Sequence, residues 1–154
     1  MKHSGSCHCG KVKISFETEK APETLGVRTC QCVFCRRHGA LNISDPDGGA
    51  LIEAQADDLV RYRFALKTSD FLICRHCGVY FAAVIGEKSN IRSTINVAGL
   101  AMTAFLDLEE APMEFGAETT EARIARRFER WTPTRFSDAA LSASYFGPHQ
   151  IGLV

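Results

Sequence analysis

Seven cysteines in three tight clusters constrain this 154-residue chain more than any other feature of its sequence. The clusters are a C-x-C pair, a C-x-C-x-x-C group and a C-x-x-C pair: Cys7 and Cys9, then Cys30, Cys32 and Cys35, then Cys74 and Cys77. Structural cysteines would be scattered through apolar segments, but here every cysteine belongs to a cluster. The clustering indicates metal binding or catalysis, and the odd number does not suit a fully paired disulfide framework.

Zinc explains this spacing, because thiolates bind it in a tetrahedron and short turns bring two or three sulfurs within chelating distance. Gly10 and Gly78 directly follow two of the clusters, where a zinc knuckle needs an unhindered backbone. The first and last pairs supply four thiolates, the four-cysteine site: Cys7, Cys9, Cys74 and Cys77. This site would be closed and structural, joining the start of the chain to its middle. The middle cluster, the three-cysteine site (Cys30, Cys32 and Cys35), keeps one open position, as catalytic zinc sites do.

Two other interpretations of the three-cysteine site stay open at this point. A histidine could close it, and the chain offers five: His3, His8, His38, His76 and His149. His38 is close in sequence, although a lone histidine beside a metal loop is often outside the ligand set. The cysteines could also be metal-free or form a redox thiol pair, but the βαβ pattern that accompanies redox C-x-x-C motifs is not visible.

The apolar pattern predicts an all-β fold in a single domain over residues 1–154. Candidate strands lie at residues 12–16, 41–43, 51–52, 59–64, 71–74, 79–85 and 91–97. Pro46-Asp47-Gly48-Gly49 is a strong turn signal. Short strands separated by turns favour a sandwich or barrel.

One segment, residues 119–131, predicts a helix instead. Ile124, Phe128 and Trp131 fall at helical spacing, and Pro133 follows as a stop signal. Four arginines lie around the rest of this helix: Arg123, Arg126, Arg127 and Arg130. We expect them to form a solvated outer face, with contact to an anionic substrate or nucleic acid as the alternative.

The charge balance argues against a nucleic-acid or membrane partner. Lys+Arg and Asp+Glu are equal at 18 each, so no general electrostatic attraction to polyanions is expected. The first ten residues lack the apolar run of a secretory signal, and no stretch approaches the roughly 20 apolar residues of a membrane span. We therefore expect a cytoplasmic protein, whose thiols stay reduced.

The order of the clusters resembles that of the glutathione-dependent formaldehyde-activating enzyme family, which includes the centromere protein V group. The resemblance rests on C-x-C, then C-x-C-x-x-C-R-x-x-G-A, then C-x-x-C-G, and it covers roughly residues 4 to 100. It implies a fold of the β-tent type, with packed antiparallel sheets and zinc knuckles. It also implies two Zn²⁺ ions, structural at the four-cysteine site and catalytic at the three-cysteine site. One departure is Gln31, because members commonly have histidine between the first two catalytic cysteines.

The resemblance implies a carbon–sulfur lyase that joins glutathione to formaldehyde, giving S-hydroxymethylglutathione. Its partners would be a small thiol and an aldehyde. Arg36 and Arg37 are candidate contacts for the carboxylates of glutathione. Zinc deprotonates a bound thiol and polarises a carbonyl, and three cysteinates favour thiol chemistry over water splitting.

A second hypothesis is a non-catalytic module in which two structural zincs support binding to a protein or nucleic acid. The basic helix is its best support. The zero net charge and the absence of aromatic–basic interleaving near the zinc loops count against it. The fourth ligand of the three-cysteine site separates the hypotheses, since a protein side chain there favours the module.

Overall fold

The computed structural model describes residues 1–147, which contain eleven strands, four α-helices and two 3-10 helices, Ala56–Asp58 and Thr103–Phe105. The strands are β1 Lys2–Ser6, β2 Lys13–Glu17, β3 Val27–Cys30, β4 Asn42–Ile43, β5 Gly49–Glu53, β6 Leu59–Tyr62, β7 Asp70–Cys74, β8 Tyr80–Glu87, β9 Asn90–Asn96, β10 Glu110–Met113 and β11 Thr132–Phe136. The helices are α1 Pro22–Leu25, α2 Val33–Arg37, α3 Thr120–Arg130 and α4 Ala139–Ala143. The expectation of a mostly β fold with a short helix late in the chain is confirmed.

The strands join through β9, which is a branch point. Along one path the order is β1-β2-β5-β11-β9-β4-β3-β10, and β9 also pairs with β8, which leads to β7 and β6. β9 can pair with both β11 and β4 because they use different parts of it: β11 pairs at Arg92 and Ser93, and β4 pairs at Ile95 and Asn96. The pairings are antiparallel except β10 with β3 and β11 with β5, which are parallel.

Four strands were not predicted from the sequence: β1, β3, β10 and β11. β1 has the sequence KHSGS and no apolar alternation, so a periodicity argument does not find it. β11 contains Pro133, which we interpreted only as a helix stop; it does end the helix, and it also lies opposite Arg92 in a strand. The helix prediction is confirmed almost to the residue, with Thr119 as N-cap accepting a hydrogen bond from the Ala122 amide at 3.1 Å.

The main core lies between the strands, where Phe16, Phe81 and Phe105 are fully buried. A smaller apolar cluster attaches α3 to the sheet. In it, Ile124 and Phe128 pack against buried Trp131 and the β8 residues Ala83 and Ile85. The apolar stripe of α3 therefore faces β8, and this contact determines where the arginines of α3 lie. Over residues 1–147, no helix is both long enough and apolar enough to cross a membrane.

Candidate metal centre and substrate cleft

The four-cysteine site brings together two turns that are far apart in sequence, one between β1 and β2 and one between β7 and β8. Its four sulfurs all lie within 4.8 Å of one another. The Cys9 sulfur is 3.6 Å from both the Cys7 and the Cys74 sulfur. Thiolates around a tetrahedral zinc lie about 3.8 Å apart, given Zn–S bonds of about 2.3 Å. The spacing therefore fits a zinc ion that staples the two turns.

Both turns have the backbone of a zinc knuckle. Gly10 and Gly78 have φ angles of +79° and +77°, in the left-handed region. Their amides donate to the carbonyl oxygens of Cys7 at 3.0 Å and Cys74 at 2.8 Å. The Val12 amide also donates to the Cys7 sulfur at 3.3 Å, a contact that favours a thiolate.

Gly78→Ala should destabilise the protein by about 1–2 kcal/mol, because an L-residue pays that cost in the left-handed region. Space is not the reason, since a Cβ at Gly78 meets nothing within 4 Å. Gly49→Ala is the matched control: its Cβ also meets nothing within 4 Å and its φ is not left-handed. Urea unfolding of the zinc-loaded proteins measures the loss of stability in both variants. Equal losses would show that the left-handed backbone of Gly78 is not the cause.

The three-cysteine site is built on one short segment. Cys30 ends β3, Cys32 is the N-cap of α2, and Cys35 lies within α2. The three sulfurs lie within 4.8 Å of one another, and the Cys32 sulfur accepts a hydrogen bond from the Cys35 amide at 3.4 Å. Gly39, with φ +56°, ends this turn. Three sulfurs gathered in this way could hold a zinc ion.

The three thiols are too close to ionise independently. Hydrogen bonds from the Cys30 and Cys35 thiols lower the pKa of Cys32. The reciprocal contacts with Cys30 and Cys32, followed by burial, raise the pKa of Cys35. A metal ion that took the place of the shared protons would relieve this competition, because metal binding deprotonates all its thiol ligands.

No histidine ring nitrogen in residues 1–147 joins either sulfur group. His38, the nearest candidate in sequence, is exposed and packs its ring on Phe34 and Tyr80, with centroids 4.5 and 5.6 Å apart. His3 lies against Phe105, and His76 contacts Asp58 at 2.8 Å. His149 lies outside the described residues. Within the described part of the chain, the three-cysteine site is thus a three-ligand site.

Two concavities meet at the three-cysteine site. The large cleft has a volume of about 390 Å³ and is lined by residues that include Cys30, Cys32, Phe64, Phe115, Arg123 and Arg127. The small cavity has a volume of about 70 Å³ and is lined by residues that include Arg28, Cys30, Cys35, Asn42, Tyr80 and Arg127. Cys30 and Arg127 line both, so each concavity is bordered by a sulfur and a guanidinium.

Comparison with known proteins identifies the family. A sequence model of the glutathione-dependent formaldehyde-activating enzyme family matches residues 2–111. The chain belongs to this family. A solved structure described as a Rhodobacter sphaeroides protein is similar to it, with 34% sequence identity and a TM-score of 0.51. The similarity covers 73% of this chain and 99% of that one.

The family match contains all seven cysteines but ends before α3. The arginines that α3 contributes to the large cleft and the small cavity therefore lie beyond the matched range. Our expectation that they form a solvated face is wrong for Arg127, which is only 8% exposed. Arg123 and Arg126 are half-buried, and only Arg130 is exposed as expected. The helical pattern indicated which face is apolar, but not that the neighbouring face would border the cysteines.

The α3 arginines are held in place by specific contacts. Arg126 binds Glu118 through two hydrogen bonds of 2.7 and 2.9 Å and lies over the Phe115 ring. Arg123 donates to the Phe115 carbonyl oxygen at 2.7 Å. Glu118 is thereby matched with two arginines, and these contacts lower the pKa of its carboxyl, the hydrogen bond from Arg126 first.

Arg36 and Arg37, the predicted contacts for glutathione, are exposed on α2. Arg36 lines a further concavity together with Cys30 and Cys35. Their contact with a thiol substrate stays a prediction. Gln31, which lies between Cys30 and Cys32, turns its amide back to donate to the Thr29 carbonyl oxygen at 3.0 Å.

Proposed function

We propose that this chain is a zinc-dependent carbon–sulfur lyase-type enzyme that joins a glutathione-like thiol to a small aldehyde such as formaldehyde. One observation carries the proposal. The sulfurs of Cys30, Cys32 and Cys35 converge without a fourth protein ligand in residues 1–147, beside a cleft large enough for a substrate. Three protein ligands are typical of catalytic zinc, and four are typical of structural zinc.

The three-cysteine site would hold the reactive zinc, and the four-cysteine site would hold a structural one. The reactive ion would supply a Lewis acid that keeps a thiol deprotonated and polarises a carbonyl oxygen. The overall addition is balanced without a further reactant. The thiol S–H bond breaks, a sulfur–carbon bond forms, and the carbonyl oxygen takes up the proton as a hydroxyl.

The chain's own residues bind and orient the thiol. The large cleft, at about 390 Å³, has the size of a small-molecule site and can take a peptide such as glutathione. Its lining carries both signs of charge, including Arg123 and Glu114, which suits a peptide that bears carboxylates and an ammonium group. Phe64 and Phe115 give it apolar walls. Holding thiol and aldehyde at one place turns a bimolecular addition into a local one.

Tyr80 can act as a hydrogen-bond donor beside the cysteines. Its ring is buried against Cys35 and Ala40. Burial raises the pKa of its phenol well above the usual value. The phenol therefore stays protonated at neutral pH. It can donate to an oxygen that gains negative charge but cannot serve as a base.

The binding-module hypothesis loses its main support, because Arg127 is buried beside the cysteines and two of the other α3 arginines are paired with Glu118. A cytoplasmic location remains our expectation, and it suits seven cysteines that are all free thiols.

Cys30→Ser and Cys35→Ser should each lower the rate of adduct formation from glutathione and formaldehyde by at least about 100-fold, because a catalytic ion contributes several kcal/mol to the barrier. Both should also weaken glutathione binding in calorimetry. NMR of the adduct gives the rate. Val33→Ala, an exposed change on the same helix α2, is the matched control and should leave both unchanged. Unchanged glutathione affinity in both serine variants would place the thiol elsewhere and overturn the proposal.

A further inference from the structure

The small cavity contains buried positive charge without a matching anion. Arg127 is 8% exposed, and it donates only to neutral hydroxyls, those of Thr68 at 2.5 Å and Ser69 at 3.0 Å. Arg28 donates to the Ser44 hydroxyl at 2.7 Å. In residues 1–147, neither guanidinium has a carboxylate within ion-pair distance. The nearby Glu118 is occupied by Arg123 and Arg126.

Two buried polar atoms at this cavity also have no partner in the described chain. They are Nε of Arg127, a donor, and Oδ1 of Asn42, an acceptor. Asn42 is 6% exposed, so water does not easily satisfy it from outside. Buried polar groups without partners are rare and costly, and a buried unpaired charge costs most of all. An anion in the cavity would balance the charge of Arg127 and give its Nε an acceptor, whereas Oδ1 of Asn42 needs a donor such as a hydroxyl.

The surroundings of Arg127 disfavour its protonated form. Burial, and after it the positive charges of Arg126 and Arg123, lower the pKa of Arg127 to about 10. Arg127 stays protonated at neutral pH, where a negative ligand would stabilise it.

The size of the cavity limits what that ligand can be. At about 70 Å³ it is far smaller than the large cleft and has room for only a few heavy atoms. A tripeptide does not fit there, but a two-carbon acid does. Cys30 and Cys35 line the same cavity, so a molecule whose carboxylate lies at the arginines has its other end near the reactive sulfurs.

We propose that the small cavity is a carboxylate subsite for the aldehyde substrate, so that the enzyme takes a short oxo acid such as glyoxylate in preference to formaldehyde. This inference rests on the proposed function. The carboxylate would bind Arg28 and Arg127, which leaves the carbonyl carbon toward the thiol in the large cleft. In the addition, RS–H and O=CH–COO⁻ give RS–CH(OH)–COO⁻, with the thiol proton on the new hydroxyl. Asn42 Oδ1 is an acceptor suited to that hydroxyl.

Calorimetry on the zinc-loaded protein with glycolate, an unreactive two-carbon acid, tests the subsite directly. Ethylene glycol is the neutral comparison, since it replaces the carboxylate with an alcohol. Glycolate should bind at least tenfold more tightly than ethylene glycol, and Arg127→Met should abolish that difference. Arg130→Met is the matched control on the same helix, because Arg130 is exposed and lies outside both concavities as described. The inference would be overturned if the wild type bound the two ligands equally well. It would also be overturned if Arg127→Met kept the preference of the wild type for glycolate over ethylene glycol.

Arg127 is buried, so its variant needs a second test that does not depend on its folding. Arg28→Met changes the other arginine, which is only half-buried on β3, and should also lower glycolate affinity at least tenfold. Zinc content and thermal melts accompany each variant. If the arginines served only to neutralise the zinc–thiolate charge, Arg28→Met would lose zinc while its zinc-loaded fraction kept full glycolate affinity, which would also overturn the inference.

Two further measurements locate the carboxylate and separate this inference from the proposed function. Glycolate should still bind when glutathione is saturating; loss of binding would assign the cavity to a carboxylate of glutathione instead. In the NMR adduct assay, glyoxylate should react at least tenfold faster than formaldehyde. Adduct formation from formaldehyde without glycolate binding would support the proposed function and contradict the subsite. Glycolate binding without any adduct would leave the subsite and remove the proposed lyase.

Discussion

Cys74→Ser should unfold most of the protein at 37 °C, whereas Cys32→Ser should leave a folded protein. Structural zinc sites bind with an apparent free energy of about 10–16 kcal/mol, and this energy is part of the folding energy. A typical domain has a net stability of only about 5–15 kcal/mol. Cys74 is 1% exposed and its sulfur lies 3.6 Å from that of Cys9, 65 residues away, so its loss releases a long chain segment.

Cys32 belongs to a cluster that spans only residues 30–35 and opens to the large cleft. Losing a ligand there releases no distant segment, so the expected cost in stability is small. Measurements of melting temperature and of zinc content per chain in Cys74→Ser and Cys32→Ser test this expectation. We expect up to two zinc ions in the wild type and about one, retained at the four-cysteine site, in Cys32→Ser. Equal losses of melting temperature in the two variants would contradict the division into a structural and a reactive site.

Asp70→Asn should destabilise the protein by about 3 kcal/mol, the lower end of the cost of removing one partner from a buried ion pair. The Asp70 carboxylate is 2% exposed and is bound by Arg61, at 2.7 Å, and by Arg63. The Tyr145 hydroxyl also donates to it at 2.6 Å. We expect the lower end because both arginines are partly open to water and can be solvated when the charge is lost.

This network also makes the stability depend on pH in a stated direction. Burial opposes ionisation of Asp70, but hydrogen bonds from Arg63 and Tyr145 and the charge of Arg61 outweigh it and lower the pKa of the carboxyl. The contribution is therefore fully present above about pH 4, the usual pKa of an aspartate, and is lost as the pH falls through the lowered folded value. Asp70→Asn should remove this part of the acid sensitivity.

The control for Asp70 is Asp47→Asn. Asp47 also pairs with a basic residue, Lys20, at 3.0 Å, but its side chain is 80% exposed. Exposed pairs contribute about 0–1 kcal/mol, so little change is expected. Urea unfolding between pH 3 and pH 7 gives the free energy of unfolding of both variants. A loss in Asp70→Asn no larger than in Asp47→Asn would show that the buried network does not stabilise the fold as described.

Asp70 also bears on the candidate site, because it directly follows Thr68 and Ser69, the two hydroxyl partners of Arg127. The network thus fixes the segment that positions the buried guanidinium. This role of Asp70 was not predictable from the sequence. Arg61 and Arg63 alternate with apolar residues in the candidate strand at 59–64, and nothing close to residue 70 in the sequence indicates that its partners include Tyr145, 75 residues away.

The local features of the chain were predictable from the sequence, because their causes act over a few residues. The gathering of Cys30, Cys32 and Cys35 depends on one short turn, and the knuckles at Gly10 and Gly78 depend on the backbone freedom of glycine. The helix α3 follows from an N-cap, an apolar period of 3.6 residues and a proline stop. Strands with a clear apolar pattern, such as β8, were found for the same reason.

The tertiary structure alone decided what surrounds those features. β1, with few apolar residues, and β11, with a proline, are strands because neighbouring strands supply their partners, which the pattern of a single segment does not encode. Arg127 and Arg130 look alike in sequence, yet Arg127 is buried and Arg130 is exposed. The difference arises because the apolar stripe of α3 packs on β8 and brings one arginine against Thr68 and Ser69, 59 and 58 residues away. Contacts over such separations depend on the completed fold, and local periodicity carries no information about them.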